Sequence, residues 1–264
     1  MGQGRDPLAP IKDAVTADGD VVVPIDVENF GLWLRAAFGG PTTTGTTPKT
    51  HTFQSGNWSL PSMAIETGMP EVPRYAMYTG CVCDQLSWQM SRSGLLTATA
   101  RLVAQGETAA AATAAGTTTA LSQQRFGHFN GSITRNGTPL GNVISAEVTY
   151  SNGLDRIETI RADGKIEGAD PGMASLTGRM EVRFADTALI TQALDGTPCE
   201  LVFAYSLGAS ASFTFTAHAV YLPRPRIEIP GPQGIQATFE WQAAKAASPA
   251  RLCTAVLVNT VASY

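Results

Sequence analysis

The chain has 264 residues, enough for one large β domain or two small ones, and either size can bury a core. Charged residues make up only 15%, and 18 Lys and Arg against 22 Asp and Glu leave a net charge of −4. The surface therefore draws on Thr, Ser, Gln and Ala, and no basic patch for tight nucleic-acid binding exists. Cys81, Cys83, Cys199 and Cys253 form no spaced framework, and MGQGRDPLAP has no apolar signal core. These two features predict synthesis in a reducing cytoplasm. No run approaches the roughly 18 apolar residues that a membrane span needs.

In chain order, Met1–Asp18 reads as a polar arm with two prolines. In GDVVVPIDVENFGLWLRAAFGG, Val21, Val23, Ile25 and Val27 alternate and predict a strand. Asn29 is then placed to cap a helix whose stripe is Phe30, Trp33, Leu34, Ala37 and Phe38, ended by Gly39 and Gly40. Gly39–Pro61, rich in Thr, Gly and Pro, predicts a surface loop with a short strand at His51–Phe53. Ser62–Thr67 is a candidate strand, and the two prolines of Met69–Arg74 predict a turn. Gln85–Ala104 carries two period-two runs joined by Ser91–Gly94. The low-complexity stretch GETAAAATAAGTTTA then marks the best domain boundary.

Beyond it, Asn136–Gly137 suits a tight hairpin, because both residues tolerate positive φ. Asp155–Met173 carries charges of both signs and predicts an exposed hairpin or long loop, the kind of excursion that bears binding surfaces. In Ser175–Phe184, Leu176, Gly178, Met180, Val182 and Phe184 share one face and Thr177, Arg179, Glu181 and Arg183 the other. Asp186 is placed to cap a helix through Leu194, with Gly196 as its left-handed exit. Three alternating strands follow, led by Leu201, Phe213 and Ile235. Arg251–Tyr264 is apolar enough to pair as a strand, and a neighbour's sheet edge is a natural acceptor.

Strand, helix, glycine and paired strands thus occur twice, which predicts a diverged tandem duplication. The expected fold is mainly β, with two sandwich or barrel-like units, each flanked by a short α-helix. The expected divisions are an N-terminal arm at 1–18, a first unit at 19–107 and a linker at 108–120. A second unit follows at 121–245 with its long hairpin loop at 155–173, and a C-terminal arm at 246–264.

The residues offer little chemistry. Cys81 and Cys83 share a strand face but no second pair or His cluster follows at ligand spacing, so they read as small buried hydrophobes. His51, His128 and His218 are isolated, and no nucleophile elbow or phosphate loop is present. No catalytic, cofactor-binding or metal residue is assigned, and the chain reads as no enzyme. Trp88 and Trp241 belong to strands and are expected in a core or an interface.

Several phrases carry a family resemblance. VVVPIDVENFGLWLRAAFGG, LPSMAIETGMPEVPRYAMYTGCVCDQLSWQM and RSGLLTATARLVAQGE in the first half, with LTGRMEVRFADTALITQALDGT and GIQATFEWQAAK in the second, resemble the tail tube (major tail) proteins of long-tailed bacteriophages. The Tyr75–Cys81 turn and the Asp186–Thr197 phrase are the most specific. The resemblance implies a structural virion protein whose rings stack into the tail tube, the conduit for genome DNA and tape-measure protein, with tail terminator and tip proteins as partners. Within the family, strands from all subunits form the inner wall as one barrel. A wall of low positive charge suits this role, since a basic wall would hold each passing phosphate. With a duplicated chain, three copies build a ring of six quasi-equivalent units; with a single fold, six copies are needed. Three is favoured, because the helix phrase appears twice. An adhesive or carbohydrate-binding β-sandwich is the alternative reading.

Overall fold

Alternating apolar residues build strands along most of the chain. The structure is a computed structural model that describes residues 9–118, 120–183, 187–225, 227–228 and 236–264. In order, its elements are β1 (Ala17–Pro24), helix α1 (Phe30–Phe38), β2 (Thr42–Thr44), β3 (Lys49–Gln54), β4 (Met63–Met69) and the long β5 (Arg74–Met90). Next come β6 (Thr97–Ala104), β7 (Gly106–Ala110), β8 (Gly131–Arg135), β9 (Thr138–Pro139), β10 (Val143–Ser151), β11 (Asp155–Ile157) and β12 (Gly168–Asp170). The last are β13 (Ser175–Arg183), helix α2 (Ala188–Asp195), β14 (Cys199–Gly208), β15 (Ala211–Tyr221), β16 (Ile227–Glu228), β17 (Gln236–Ala243) and β18 (Cys253–Asn259). The fold is mainly β, as the alternation requires.

Among the described residues, 16 strands form one sheet that doubles over on itself. The first layer runs β1-β6-β5-β10-β13-β17, antiparallel throughout. The second runs β9-β8-β14-β15-β18-β3-β2. They join where Val220 and Tyr221 at the end of β15 pair with Ala243 and Gln242 of β17. Strands from both halves of the chain enter both layers: β5 pairs with β10, and β18 pairs with β3.

Aromatic residues fill the space between the layers. Trp88 of β5 meets Phe213 and Phe215 of β15 edge-on, at ring centroid distances of 6.0 and 4.9 Å, and Phe203 of β14 stacks on Trp241 of β17 at 6.1 Å. Helix α1 closes one side, with Phe30 against Phe213 at 5.2 Å and Phe38 against Tyr150 at 4.5 Å. Each such side chain contributes about 1.5–3 kcal/mol by leaving water. Gly178 lies under the Trp241 indole: a Cβ there would come within 2.3 Å of the ring and 2.2 Å of the Glu147 carbonyl oxygen. The absence of a side chain at 178 is what lets the Trp241 indole lie down.

Polar residues tie α1 in place. The buried Asn152 amide donates to the carbonyls of Ala37 and Cys83, both at 2.9 Å, and so pins the end of the helix to β5. At the other end, Asn259 donates to the Val27 carbonyl and to the Tyr264 hydroxyl, each at 2.6 Å, and that hydroxyl donates to the Glu28 carbonyl. The Tyr264 ring occupies the space a side chain at Gly31 would need.

Several expectations need correction. Asn29 precedes α1 but its side chain makes no cap. The turn is held by the buried Asp26 carboxylate, which accepts from the backbone N–H groups of Glu28 and Asn29, two and three residues on. Tyr75–Cys81 is not a turn but part of β5, bent where Gly80 takes φ 64°. Arg251–Tyr264 does not reach for a neighbour. Its strand β18 lies between β15 and β3 of the same chain, because Cys253, Ala255 and Leu257 face the core. Thr187, without a side-chain cap, precedes α2, and Gly196 closes it at φ 63° in the left-handed region. The Asp186 cap, Phe184 and Ile235 lie outside the described residues. Asn136 and Gly137 take φ 47° and 78° between β8 and β9, the conformation expected of that pair.

Candidate functional site

The first layer has one face in the core and one in water, and the wet face is an organised polar surface. Strand register sets it out in rows. One row crosses all six strands as Val22, Thr99, Ser87, Thr149, Thr177 and Gln242. Neighbouring rows place Gln89, Glu147, Arg179 and Glu240 side by side, and Asp20 beside Arg101 and Gln85. Each row is there because the other parity of the same strands, Leu86, Trp88, Val148, Met180 and Phe239 among them, is buried.

Opposite charges stand on adjacent strands, Arg179 between Glu147 and Glu240 and Asp20 opposite Arg101. None of these pairs closes to within 4 Å among the described residues, so each charge stays hydrated and contributes at most about 1 kcal/mol. The face is near neutral, with small hydroxyls and amides between the charges. Part of it sinks into an open basin of about 750 Å³ over Thr149, Thr177, Arg179 and Glu240, with Tyr221–Pro223 as its lip.

Among the described residues, both edges of this layer carry unpaired backbone. Among the described residues β1 pairs only with β6. On the far side, β17 meets β16 at residues 236–237 and β15 at 242–243, which leaves the backbone of 238–241 unpaired on that side. The layer has an even number of antiparallel strands, so β1 and β17 run in opposite directions.

The residues singled out for chemistry fall elsewhere. All four cysteines are free and buried; burial pushes the Cys83 and Cys253 thiols up to about 12 and raises those of Cys81 and Cys199, so all stay protonated near neutral pH. His51 is buried beneath β2: Nδ1 meets the Thr43 hydroxyl at 2.9 Å, and Nε2 lies 3.1 Å from both the Asn259 side-chain oxygen and the Val261 carbonyl. Two acceptors at Nε2 fix the proton there, and burial holds the ring's pKa below its ordinary value. His218 contacts Thr254 at 2.8 Å and Glu200 at 3.6 Å on the outer face of the second layer, and burial lowers its pKa too. His128 sits at the far end of β5 beside Ser91. No group of three or more His, Cys, Asp or Glu suited to a metal ion occurs among the described residues, and no described helix is long and apolar enough to cross a membrane. Among the described residues no ring contact joins the exposed aromatics Trp58, Phe129 and Tyr221.

Sequence reasoning missed one feature. Beyond Gly80 the first half of β5 leaves the sandwich and pairs with β4 on one side and β7 on the other, making a three-stranded tongue. Its signal lay in the length of the polar and small-residue runs flanking Tyr75–Thr79, which have no core face to alternate against.

The sandwich thus presents an organised polar sheet face, unpaired backbone at both edges of that layer among the described residues, and a projecting tongue. Residues 1–243 match the family of the phage tail tube protein, and the chain belongs to that family. It is a structural tail tube protein, a component of the virion, in a family that is not an enzyme class. A comparison with curated proteins returned no match.

Proposed function

We propose that copies of this chain close into rings through their first layers, that the rings stack into the tail tube, and that the polar face of the layer lines the bore. The observation that carries this reading is the pair of open edges. Because β1 and β17 run in opposite directions, joining the β17 edge of one copy to the β1 edge of the next continues the antiparallel alternation without a break. Closure also removes the exposed edges, which otherwise invite uncontrolled strand pairing.

Geometry favours three copies. Strands spaced about 4.8 Å apart and tilted about 40° give eighteen strands a barrel about 36 Å across at the backbone, or roughly 26 Å after side chains. Duplex DNA, roughly 20 Å across, passes such a bore. Six copies would give about twice the backbone width, far more than the cargo needs. The order of elements supports a duplicated chain: in each half a strand leads into a short helix, β1 into α1 and β13 into α2, and a later strand of the same half, β6 or β17, pairs with that leading strand. On this reading 108–120 links two quasi-equivalent units, and three chains present six.

The near-neutral wall suits passage. Each phosphate held by a wall cation would release counterions and gain free energy, slowing the strand; Arg101 and Arg179 here stand opposite carboxylates instead. Genome DNA and tape-measure protein would move through the bore without specific contacts, and terminator and tip proteins would meet the ends of the tube. Subunits made in the host cytoplasm would then be incorporated into the virion. Native mass spectrometry of assembled rings tests the stoichiometry: three copies of the 27.7 kDa chain are expected, and six contradict the duplication reading.

A further inference from the structure

The two ends of β5 differ in a complementary way. At one end the tongue finishes in the turn Met69–Arg74, closed by the Val72 N–H donating to the Met69 carbonyl at 3.1 Å and stiffened by Pro70 and Pro73. Val72 is 67% exposed and Met69 53%, with the Glu71 carboxylate between them. An apolar tip on a solvated three-stranded arm has nothing of its own to pack against.

At the other end the layers part beyond Met90. The gap between β10 and β8 is an open groove of about 670 Å³ lined by Met90, Ile133, Leu140, Val143 and Ile144. Its rim carries Arg92 and His128, and no acidic residue lines it. Tip and groove lie sixteen residues apart along β5, a contour of about 50 Å at an ordinary strand rise, and no residue of the tongue lines the groove of its own chain.

We infer that the tongue tip of one copy docks in the Met90-end groove of a second copy, with Val72 and Met69 against Ile144 and Leu140 and Glu71 beside Arg92. The pairing is between two different surfaces, so it does not close; it repeats copy upon copy along one axis. Charge favours this occupant. The tip end also carries the 155–173 hairpin, held to the start of β1 by the Arg156–Asp18 ion pair at 3.1 Å, and that hairpin has five acidic against three basic residues. An end with more acidic than basic residues on its hairpin thus pairs with a groove whose rim carries the Arg92 cation and no carboxylate. The inference rests on the tube reading and names the contact that stacks the rings.

Disulfide trapping tests it. The four native cysteines are buried, so in the variant Val72→Cys with Ile144→Cys the new thiols are the exposed ones. Mild oxidation of assembled protein should give a ladder of multimers under denaturing electrophoresis, whereas either single variant should stop at dimers. A second pair keeps the test independent of the added thiols: Glu71→Arg and Arg92→Glu should each shorten tubes severalfold, and the two together should restore length. Tubes of normal length in every variant, with no ladder, overturn the tongue-to-groove contact and leave ring stacking standing. A wild-type chain that forms neither rings nor tubes overturns the tube reading itself.

Discussion

Strand β5 belongs to two regions with opposite physics. From Cys81 to Met90 its inward side chains are buried between the layers, and Trp88 alone meets two phenylalanines. From Arg74 to Gly80 the same strand is flanked by β4 and β7, and much of their surface, including Thr67, Gly68 and Glu107–Ala110, is exposed. Hydrogen bonding is equally regular in both. The difference is what lies on the faces: the sandwich half holds the subunit together, and the tongue half is the part that, on the proposed stacking, meets a neighbour.

The largest expected effect is in the sandwich half. Trp88→Ala and Trp241→Ala should each cost about 3–5 kcal/mol, read as a lowered denaturation midpoint. Unchanged midpoints would break the comparison at its root, since the layers would then not be packed through these rings. Gly178→Val tests the same packing from the opposite direction. Its added carbons meet the Trp241 ring and the Glu147 carbonyl, so a loss of about 1–3 kcal/mol is expected; a neutral result would mean the indole is free to lift away. Asn259→Ala should cost about 1–3 kcal/mol by leaving the Val27 carbonyl without its side-chain donor and removing one of the two acceptors at His51 Nε2.

In the tongue half, Val72→Ser should change folding stability by less than about 0.5 kcal/mol while it weakens tube formation. Loss of both together would show that the tongue is part of the cooperative fold. The smallest effect concerns pH. His51 and His218 are held neutral by burial, so their folded-state pKa values lie below the ordinary value near 6.5. The unfolded chain takes up protons first as pH falls, and stability drops below about pH 6.5 until the folded pKa values are passed. His51→Gln should flatten that decline in melting experiments across pH 5–7; an unchanged slope would assign it to other groups.

The sandwich was legible in the sequence because a face against a core writes itself as alternation. Leu201, Phe203 and Tyr205, or Ala237, Phe239 and Trp241, can be read directly as one buried side. The tongue was not, since Tyr75–Gly80 and Gly106–Ala110 lie where no core sorts apolar from polar. The C-terminal strand was legible as a strand but not in its place: the partners of β18 are about 200 residues away in β3 and about 40 in β15, and no local pattern records them. The cap of α1 failed for a related reason. Asp26 and Asn29 are both capping residues, and only the burial of Asp26 decides between them. The polar rows of the first layer could be listed strand by strand, as Thr177, Arg179 and Glu181 were, but their joining into one wall across six strands needed the register.

That wall is open to direct measurement. Thr149→Cys lies on the wet face of the first layer and Thr214→Cys on the outer face of the second, and both can be challenged with a maleimide polymer wider than the bore. Free subunits should react at either position. In assembled tubes position 149 should be protected and position 214 should still react; equal reaction at 149 in tubes and in free subunits would contradict a bore lined by this sheet.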